Sequence, residues 1–494
     1  MCSRMGRQIC RKNPFLGDFL PSRVALLRFG TNRPALPFPH PWNYQRPLDI
    51  LETYFCEAGE AEPGGAQHNR YIELFGCAPV LVSRDPGVIR AVLHDTGDKP
   101  GAFDRDTLPS QGIARATGED TLLYANGPLW RKQKKLAAKP FSRTNLFQPE
   151  RFQDFEQTFR QTVVNRIDVL RAKLIEREMD SLQLALEPEI KVVMLEMLAN
   201  NFFGAEISCE RLRDHYAPSL ERVIDHIVSD TVINKLGIPV TRRPGNARLK
   251  ADYAAFEELT DLAIAPRAAK RGLWKQFESD VSNEGLRSNI RVFLAGALEA
   301  TTSFATWALH HLAHHPEIQQ QVFEEVKDID TYLPEHLKHA TQLNAVLEET
   351  LRLTPSLYFL PRRSSVDTWI ETPDKRKLMI PAGTHILLDV WHANRREDYW
   401  GVEVSGYPAA DFAPARWQNL SREEGAAKKF LHFGFGNGPR VCPGKFLGQL
   451  EVALVVGAMV KTFSFTAADP YLKPRAGVST KPRDGVLVDL SLRS

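Results

Sequence analysis

The chain has no apolar run approaching the ~18 residues that a membrane-spanning helix needs. Its longest candidate, "VALVVGAMV" at 452–460, is half that length, follows Glu451 and reads as a core helix. Paired cysteines are also missing. Cys2, Cys10, Cys56, Cys77, Cys209 and Cys442 are scattered, with no C-x-x-C, which argues against a zinc site or a disulfide framework. Reduced, buried thiols are the ordinary expectation. Strong charge of either sign is absent. The 63 basic and 60 acidic side chains leave a formal net charge of +3 and a pI near 8.4, too mild for a nucleic-acid binder. There is no internal repeat, no glycine-serine linker, and no flavin or nicotinamide fingerprint.

What is present is an ordinary globular composition, 43% hydrophobic and 25% charged over 494 residues. That is enough chain for a large core. The opening 30 residues hold six basic side chains and one acid, Asp18. Arg-rich, acid-poor starts suit organelle targeting, although serines are few; a disordered terminus fits equally. Residues 31–48 are rich in proline and aromatics and read as an extended lead-in. "RYIELFGCAPVLVSRDP" reads as a hairpin around Gly76, followed by a helix starting at Pro86. From about 125 to 355 the periodicity predicts helices, including 150–176, 180–200, 251–276, 287–314 and 316–328. After 355, "RKLMIPAGTHILLDVWHA" is strand-like around a Pro-Ala-Gly turn. A loop-rich stretch, one more helix and short strands complete the chain. The expectation is one large domain over 46–494, mainly α with small β-sheets, preceded by a segment 1–45.

The most informative stretch is "FGFGNGPRVCPG", 433–444. Gly436 and Gly438 lack a Cβ and would let the backbone approach a flat ligand. Pro443 suits a first helical turn, so Cys442 is expected at a helix N-terminus, where the dipole favours a thiolate. Phe435 is placed to shield the sulfur, and Arg440 offers a cation to a carboxylate. A shielded thiolate beside a glycine-rich wall is what an iron porphyrin requires of an axial ligand.

Phe435, Gly438, Arg440, Cys442 and Gly444 spell F-x-x-G-x-R-x-C-x-G, which resembles the haem-binding signature of the cytochrome P450 family. The resemblance implies the cytochrome P450 fold, with 46–494 as the catalytic domain. It makes Cys442 the iron ligand of haem b (iron protoporphyrin IX). "LEETLRLTP" and "FAPARW" resemble the family's E-x-x-R helix and P-x-R-[FW] element, with Glu349, Arg352 and Arg416 as a structural triad. "GPLWRKQKKL" resembles the C helix, where Trp130 and the residue four later reach a haem propionate. That residue is Lys134 here, not arginine, and it loses the bidentate fork; Arg131 is a candidate substitute. Lys132 and Lys135 read as a solvated basic face, suited also to an acidic electron donor. "LPRRSSVDTW" resembles the strand whose arginine holds the other propionate, with Arg362 favoured and Arg363 the runner-up.

"FLAGALEATTS", 293–303, resembles the family's I helix with its [AG]-G-x-[DE]-T-[TS] motif. Aligning the acid puts alanine at the second glycine and at the first threonine. Pairing Ala295-Gly296 instead leaves one residue inserted before Glu299. Either way, Glu299 with Thr301 is the expected proton-relay pair, Thr302 being the neighbouring alcohol; a hydroxyl bonded within its own helix is the plainer role for Thr301. The implied activity is a haem-thiolate monooxygenase acting on a lipophilic small organic substrate in secondary or lipid metabolism. It would use O2 and an electron-donor protein, an NADPH-dependent reductase or a ferredoxin. A haem-thiolate isomerase or dehydratase without a reductase is the alternative. The pocket is expected to draw on 104–114, 220–240, 292–302 and 356–361, with Leu298, Leu357, Phe359 and Leu360 making it apolar. A monomer without nucleic acid is expected. A cytoplasmic or peripheral location is favoured, with a mitochondrial one open. The four histidines of "HHLAHH" (His310, His311, His314, His315) are expected to be exposed or satisfied in the core, since no acid completes a metal motif.

Overall fold

The structure is a computed structural model that describes residues 48, 68–72, 80–96, 102–106, 111–176, 181–233, 245–265, 283–330, 336, 339–372, 375, 377–470 and 474–493. The amino-terminal segment 1–45 and the pocket stretches 107–110 and 234–240 lie outside the described residues. In chain order the main elements begin with β1 (Asn69–Ile72), β2 (Val80–Ser83), α1 (Pro86–His94) and β3 (Phe103–Arg105). Helices α2 (Gln111–Thr117), α3 (Gly127–Phe141) and α4 (Pro149–Glu176) follow. Next come β4 (Leu182–Ala185), α5 (Glu187–Glu196), α6 (Ala217–Ile233) and α7 (Ala247–Ile264). The centre is α8 (Asn283–His314), then α9 (Pro316–Val326) and α10 (Thr341–Leu353). Strands β5 (Phe359–Ser364), β6 (Thr368–Glu371), β7 (Lys377–Ile380) and β8 (His385–Asp389) precede α11 (Lys445–Thr462). The chain returns through β9 (Phe463–Ala467), β10 (Pro474–Ala476), β11 (Thr480–Pro482) and β12 (Leu487–Leu492).

Local chemistry explains several boundaries. Asp85 caps α1 by accepting from the N–H groups of Gly87 (2.8 Å) and Val88 (3.2 Å), with Pro86 in the first turn. The strands expected on either side of Gly76 pair antiparallel as β1–β2, and Gly76 itself lies outside the described residues. The helix expected over 180–200 is not continuous. Leu182–Ala185 forms a strand against Leu487–Leu490 of β12, and helix begins only at Glu187. Long-range pairing with the last strand overrides a helix-compatible composition.

The largest sheet has the order β1-β2-β8-β5-β3, so it joins strands from both halves of the chain. The β2–β8 pairing is parallel, and β5 lies antiparallel to both β8 and β3. Helix α8 runs through the core, with Trp307, Leu309 and Leu312 at 0% exposure. By length and composition its residues Gly285–His314 could cross a membrane, but they are largely buried in protein. They are the central helix of a packed domain.

Behind the core, Arg352 donates twice to Glu349 (2.7 and 2.8 Å) and to the carbonyls of Asn394 and Ala409. Arg416 adds a bond to Glu349 at 3.3 Å, and Trp417 another at 2.8 Å. Burial pushes the Glu349 carboxyl up, but these partners outweigh it and hold it below its ordinary range. A buried ion pair is sustained only when every charge finds such partners. His310 and His311 are buried, and desolvation lowers both, His310 to about 4. His311 stacks on Phe412 at 4.2 Å and bonds Thr354. The histidine cluster is therefore core packing.

Candidate active site

Cys442 lies between a short 3-10 turn, Gly438–Arg440, and α11. Its N–H donates to the Phe435 carbonyl at 2.9 Å, and Gly436 N–H donates to Phe433 at 2.9 Å, which closes the loop. Gly436 and Gly438 both have φ of +71°. At Gly438 the glycine is needed for packing: a Cβ would sit 2.3 Å from the Leu93 carbonyl at the end of α1. The space it clears is for a helix, not for a flat ligand. Gly436 keeps an open side, where a Cβ would meet only Leu360 at 3.9 Å.

The thiolate stabilisation expected at Cys442 comes from a Gly444 N–H and the Lys445 charge, and burial outweighs both. Helix α11 starts at Lys445 with Gly444 as its cap, so Cys442 precedes the helix instead of occupying its first turn. Burial pushes the thiol up to about 11, against a Gly444 N–H and the Lys445 charge. Cys442 itself is exposed. A bound cation favours the thiolate over the thiol.

Opposite the loop is one face of α8. Phe304 meets Phe435 edge-on at 6.3 Å. Phe293 packs on Phe141 at 5.4 Å, and a Cβ on Gly444 would touch the same Phe141 ring. At about 100° per residue, Phe293, Ala297, Ala300 and Phe304 form one stripe. Thr301 sits at its edge: its methyl faces Gly448 of α11, and its Oγ1 donates to Ala297 O at 2.9 Å. Leu298 is not a cavity residue, being 1% exposed within the main core.

Glu299 and Thr301 are not brought together. Glu299 points away from the stripe toward β11. There it accepts from Lys481 Nζ and Ser479 Oγ, each at 2.9 Å. Burial raises its pKa, but Lys481, Lys191 and these bonds prevail and leave it lowered. Lys481 also reaches Glu187 at 3.5 Å, and Lys191 links Glu187 (3.8 Å) to Glu221 (3.2 Å). The acid is one end of a charged chain that runs through the E-rich start of α5 toward the surface.

Three arginines converge near the loop. Arg105 and Arg362 are cross-strand partners in β3 and β5. Arg440 donates to Ala125 O and Asn126 Oδ1, both at 2.7 Å, with its guanidinium 4.5 Å from the Trp130 ring centre. Lys134 approaches the same ring at 4.9 Å and donates to Pro439 O at 2.8 Å. Arg131, the suggested substitute, is exposed. Of the two candidates on β5, Arg362 is inward at 1% exposure and Arg363 is not. Desolvation lowers Arg105, Arg362 and Arg440, the last to about 9, and mutual repulsion lowers Arg362 and Arg440 further. All three leave Nε without a partner, and none has an ion pair among the described residues. Buried unpaired cations are costly, so this cluster suits a ligand with more than one carboxylate. Arg105 escaped sequence reasoning because "DRD" reads as a self-neutralising surface triplet; its pairing with Arg362 is visible only in the sheet.

Comparison with known proteins adds an independent finding. The family model described as "Cytochrome P450" matches residues 70–487. A cytokinin hydroxylase of Arabidopsis thaliana is 25% identical over 442 residues, covering 84% of this chain and 80% of the relative. Cytochrome P450 72A552 of Barbarea vulgaris is 23% identical, covering 89% of this chain and 82% of the relative. Cytochrome P450 monooxygenase FSL4 of Gibberella zeae is 32% identical over 230 residues, which cover 42% of this chain and 39% of the relative.

Proposed function

The chain belongs to the cytochrome P450 family of monooxygenases, and on that premise we propose that it inserts one oxygen atom from O2 into a lipophilic organic substrate at a haem b held by Cys442. The family generally works with O2, a lipophilic substrate and a redox partner. The observation that carries the proposal is the exposed Cys442 in the loop that also bears Arg440, with Arg440, Arg105 and Arg362 each leaving its Nε–H without an acceptor among the described residues. Haem b brings two propionates, which match that demand.

In this reading the Cys442 sulfur would bind the haem iron. Arg105, Arg362 and Arg440 would hold the propionates, and Trp130 and Lys134 brace Arg440 and the cysteine loop. Phe435 excludes water from the sulfur, and Gly436 leaves room for the ring. When bound, the haem supplies an iron that activates dioxygen, with thiolate donation favouring O–O cleavage. The protein's contribution is binding, orientation and control of protons.

Leu357, 40% exposed, and the half-buried Phe359 support an apolar substrate. Electrons would come from a separate reductase or ferredoxin, for which the exposed Lys132 and Lys135 offer a basic landing face. The isomerase or dehydratase reading draws on one observation: Ala300, at the centre of the α8 stripe, has no hydroxyl. Dependence of turnover on NADPH and a reductase separates the two. The primary test is the Soret band of the reduced, carbon monoxide-treated protein. A thiolate-type band is expected, and its replacement by a histidine-type or free-haem band would refute the Cys442 assignment.

A further inference from the structure

The α8 face toward the cysteine loop lacks a proton donor where the proposed chemistry needs one. Insertion of one oxygen atom into a C–H bond, with the other leaving as water, consumes two electrons and two protons per O2. The electrons belong to the redox partner. The protons must be handed on within the cleft by a hydroxyl, an acid or held water. Phe293, Ala297, Ala300 and Phe304 offer none. Thr301 lies beside the stripe, its Oγ1 donating back to Ala297 O within α8 and its methyl against α11, and Glu299 is turned to Lys481.

One hydroxyl from outside α8 bonds the backbone of the stripe's central residue. Ser356, in the segment between α10 and β5, donates from Oγ to Ala300 O at 3.0 Å. The residue is 5% exposed. Among the described residues no other hydrogen bond involves its Oγ, and its lone pairs are able to accept from water. Its backbone is fixed. Thr480 N donates to Ser356 O at 2.9 Å, and Thr480 Oγ1 donates to Pro355 O at 2.8 Å. Thr480 is tied in turn to α8, its carbonyl accepting from Ser303 at 2.6 Å and its hydroxyl from Trp307 at 3.1 Å. A hydroxyl on so rigid a mount is pre-organised for proton transfer.

We propose that Ser356 is a catalytic residue, supplying from the neighbouring loop the proton-transferring hydroxyl that Ala300 lacks. The inference rests on the haem-thiolate reading. It also gives β11 a function. Ser479 and Lys481 hold Glu299, while Thr480 between them holds the Ser356 segment. Acid and hydroxyl are therefore mounted on three consecutive residues.

The test compares wild type, Ser356→Ala, Ser356→Thr and Ser356→Ala with Ala300→Thr, each loaded with haem and supplied with a reductase. Ser356→Ala is expected to lower product formed per NADPH consumed at least about fivefold, with matching release of peroxide. Its solvent deuterium isotope effect should rise. Ferrous–carbonyl band position, ligand-induced Soret shift and thermal midpoint should stay at wild-type values, which a mere tether's loss would not guarantee. Ser356→Thr should retain coupling, and Ala300→Thr should restore it in the Ser356→Ala background. Wild-type coupling and isotope effect in Ser356→Ala would overturn the proposal while leaving the haem reading intact. Absence of a thiolate-type band in wild type would overturn both.

Discussion

Replacing Lys481 with methionine isolates the electrostatics behind α8. Lys481 is 6% exposed and is the principal counter-charge of Glu299, at 2.9 Å. Removing it strands a buried carboxylate with Ser479 as its remaining direct partner, a change that costs about 3–5 kcal/mol. Unfolding entropy near about 2.1 cal/mol/K per residue gives roughly 1 kcal/mol per degree for a chain of this size. The melting midpoint at pH 7 should fall by about 3–5 °C. The pH dependence is the sharper signature. In wild type the Glu299 pKa is lowered from 4.5 and that of Lys481 is raised from 10.5. The depressed acid contributes stability above pH 4.5, lost as pH falls through its folded pKa; the raised lysine contributes below pH 10.5, lost as pH rises through its own. Without Lys481, burial dominates and the Glu299 pKa moves above 4.5. The variant's deficit should then shrink on acidification, as Glu299 becomes neutral. Lys191, Glu187, Glu221, Asp225 and Arg475 also face this acid or its partners, and they temper the shift without reversing it. Adding Glu299→Gln should recover most of the loss. Calorimetric scans from pH 4.5 to 8 are the assay. A deficit independent of pH, or no recovery in the double variant, would refute the reasoning.

Cys442→Ser should abolish the thiolate-type ferrous–carbonyl band, read by absorbance, while the apoprotein keeps its circular dichroism. Arg362→Leu should change sign with haem. It should raise the apoprotein's melting midpoint by removing a buried unpaired charge, yet speed haem transfer to apomyoglobin about 10- to 100-fold, the worth of about 1.5–3 kcal/mol in charge-assisted bonds. Gly438→Ala should cost at least about 2 kcal/mol in urea unfolding, because positive φ and a clash with Leu93 O combine, whereas Gly436→Ala carries only the backbone strain, about 1 kcal/mol. Glu349→Gln should prevent accumulation of soluble protein, since Arg352 and Arg416 are both 0% exposed at the side chain and lose their shared anion.

The parts of this molecule legible in sequence are those where spacing along one element sets the geometry. Glu349 and Arg352 three apart on a helix, Cys442 in its ten-residue loop, and the Pro86 helix start are local facts. Arg105 was hidden because its partner Arg362 lies far along the chain and meets it only across the sheet. Leu182–Ala185 looked helical because its true partner, β12, is formed from the last residues. Gly438 was assigned the right freedom for the wrong neighbour, since nothing local reveals the end of α1 against it. The thiol's elevated pKa likewise depends on surrounding atoms drawn from several elements.

The oxygen side shows how a motif can mislead when its phase is not checked. Glu299 and Thr301 are two apart, hence about 200° apart around α8. No arrangement of an α-helix lets both face one small cleft. The residue between them, Ala300, faces it, and its side chain carries no hydroxyl. The proposed relay draws its hydroxyl from outside the helix, held by the contacts of residues 479–481. They draw Glu299 one way and clamp Ser356 against the Ala300 carbonyl the other way. In the proposed relay, the hydroxyl that Ala300 lacks comes from the segment that residues 479–481 hold against α8.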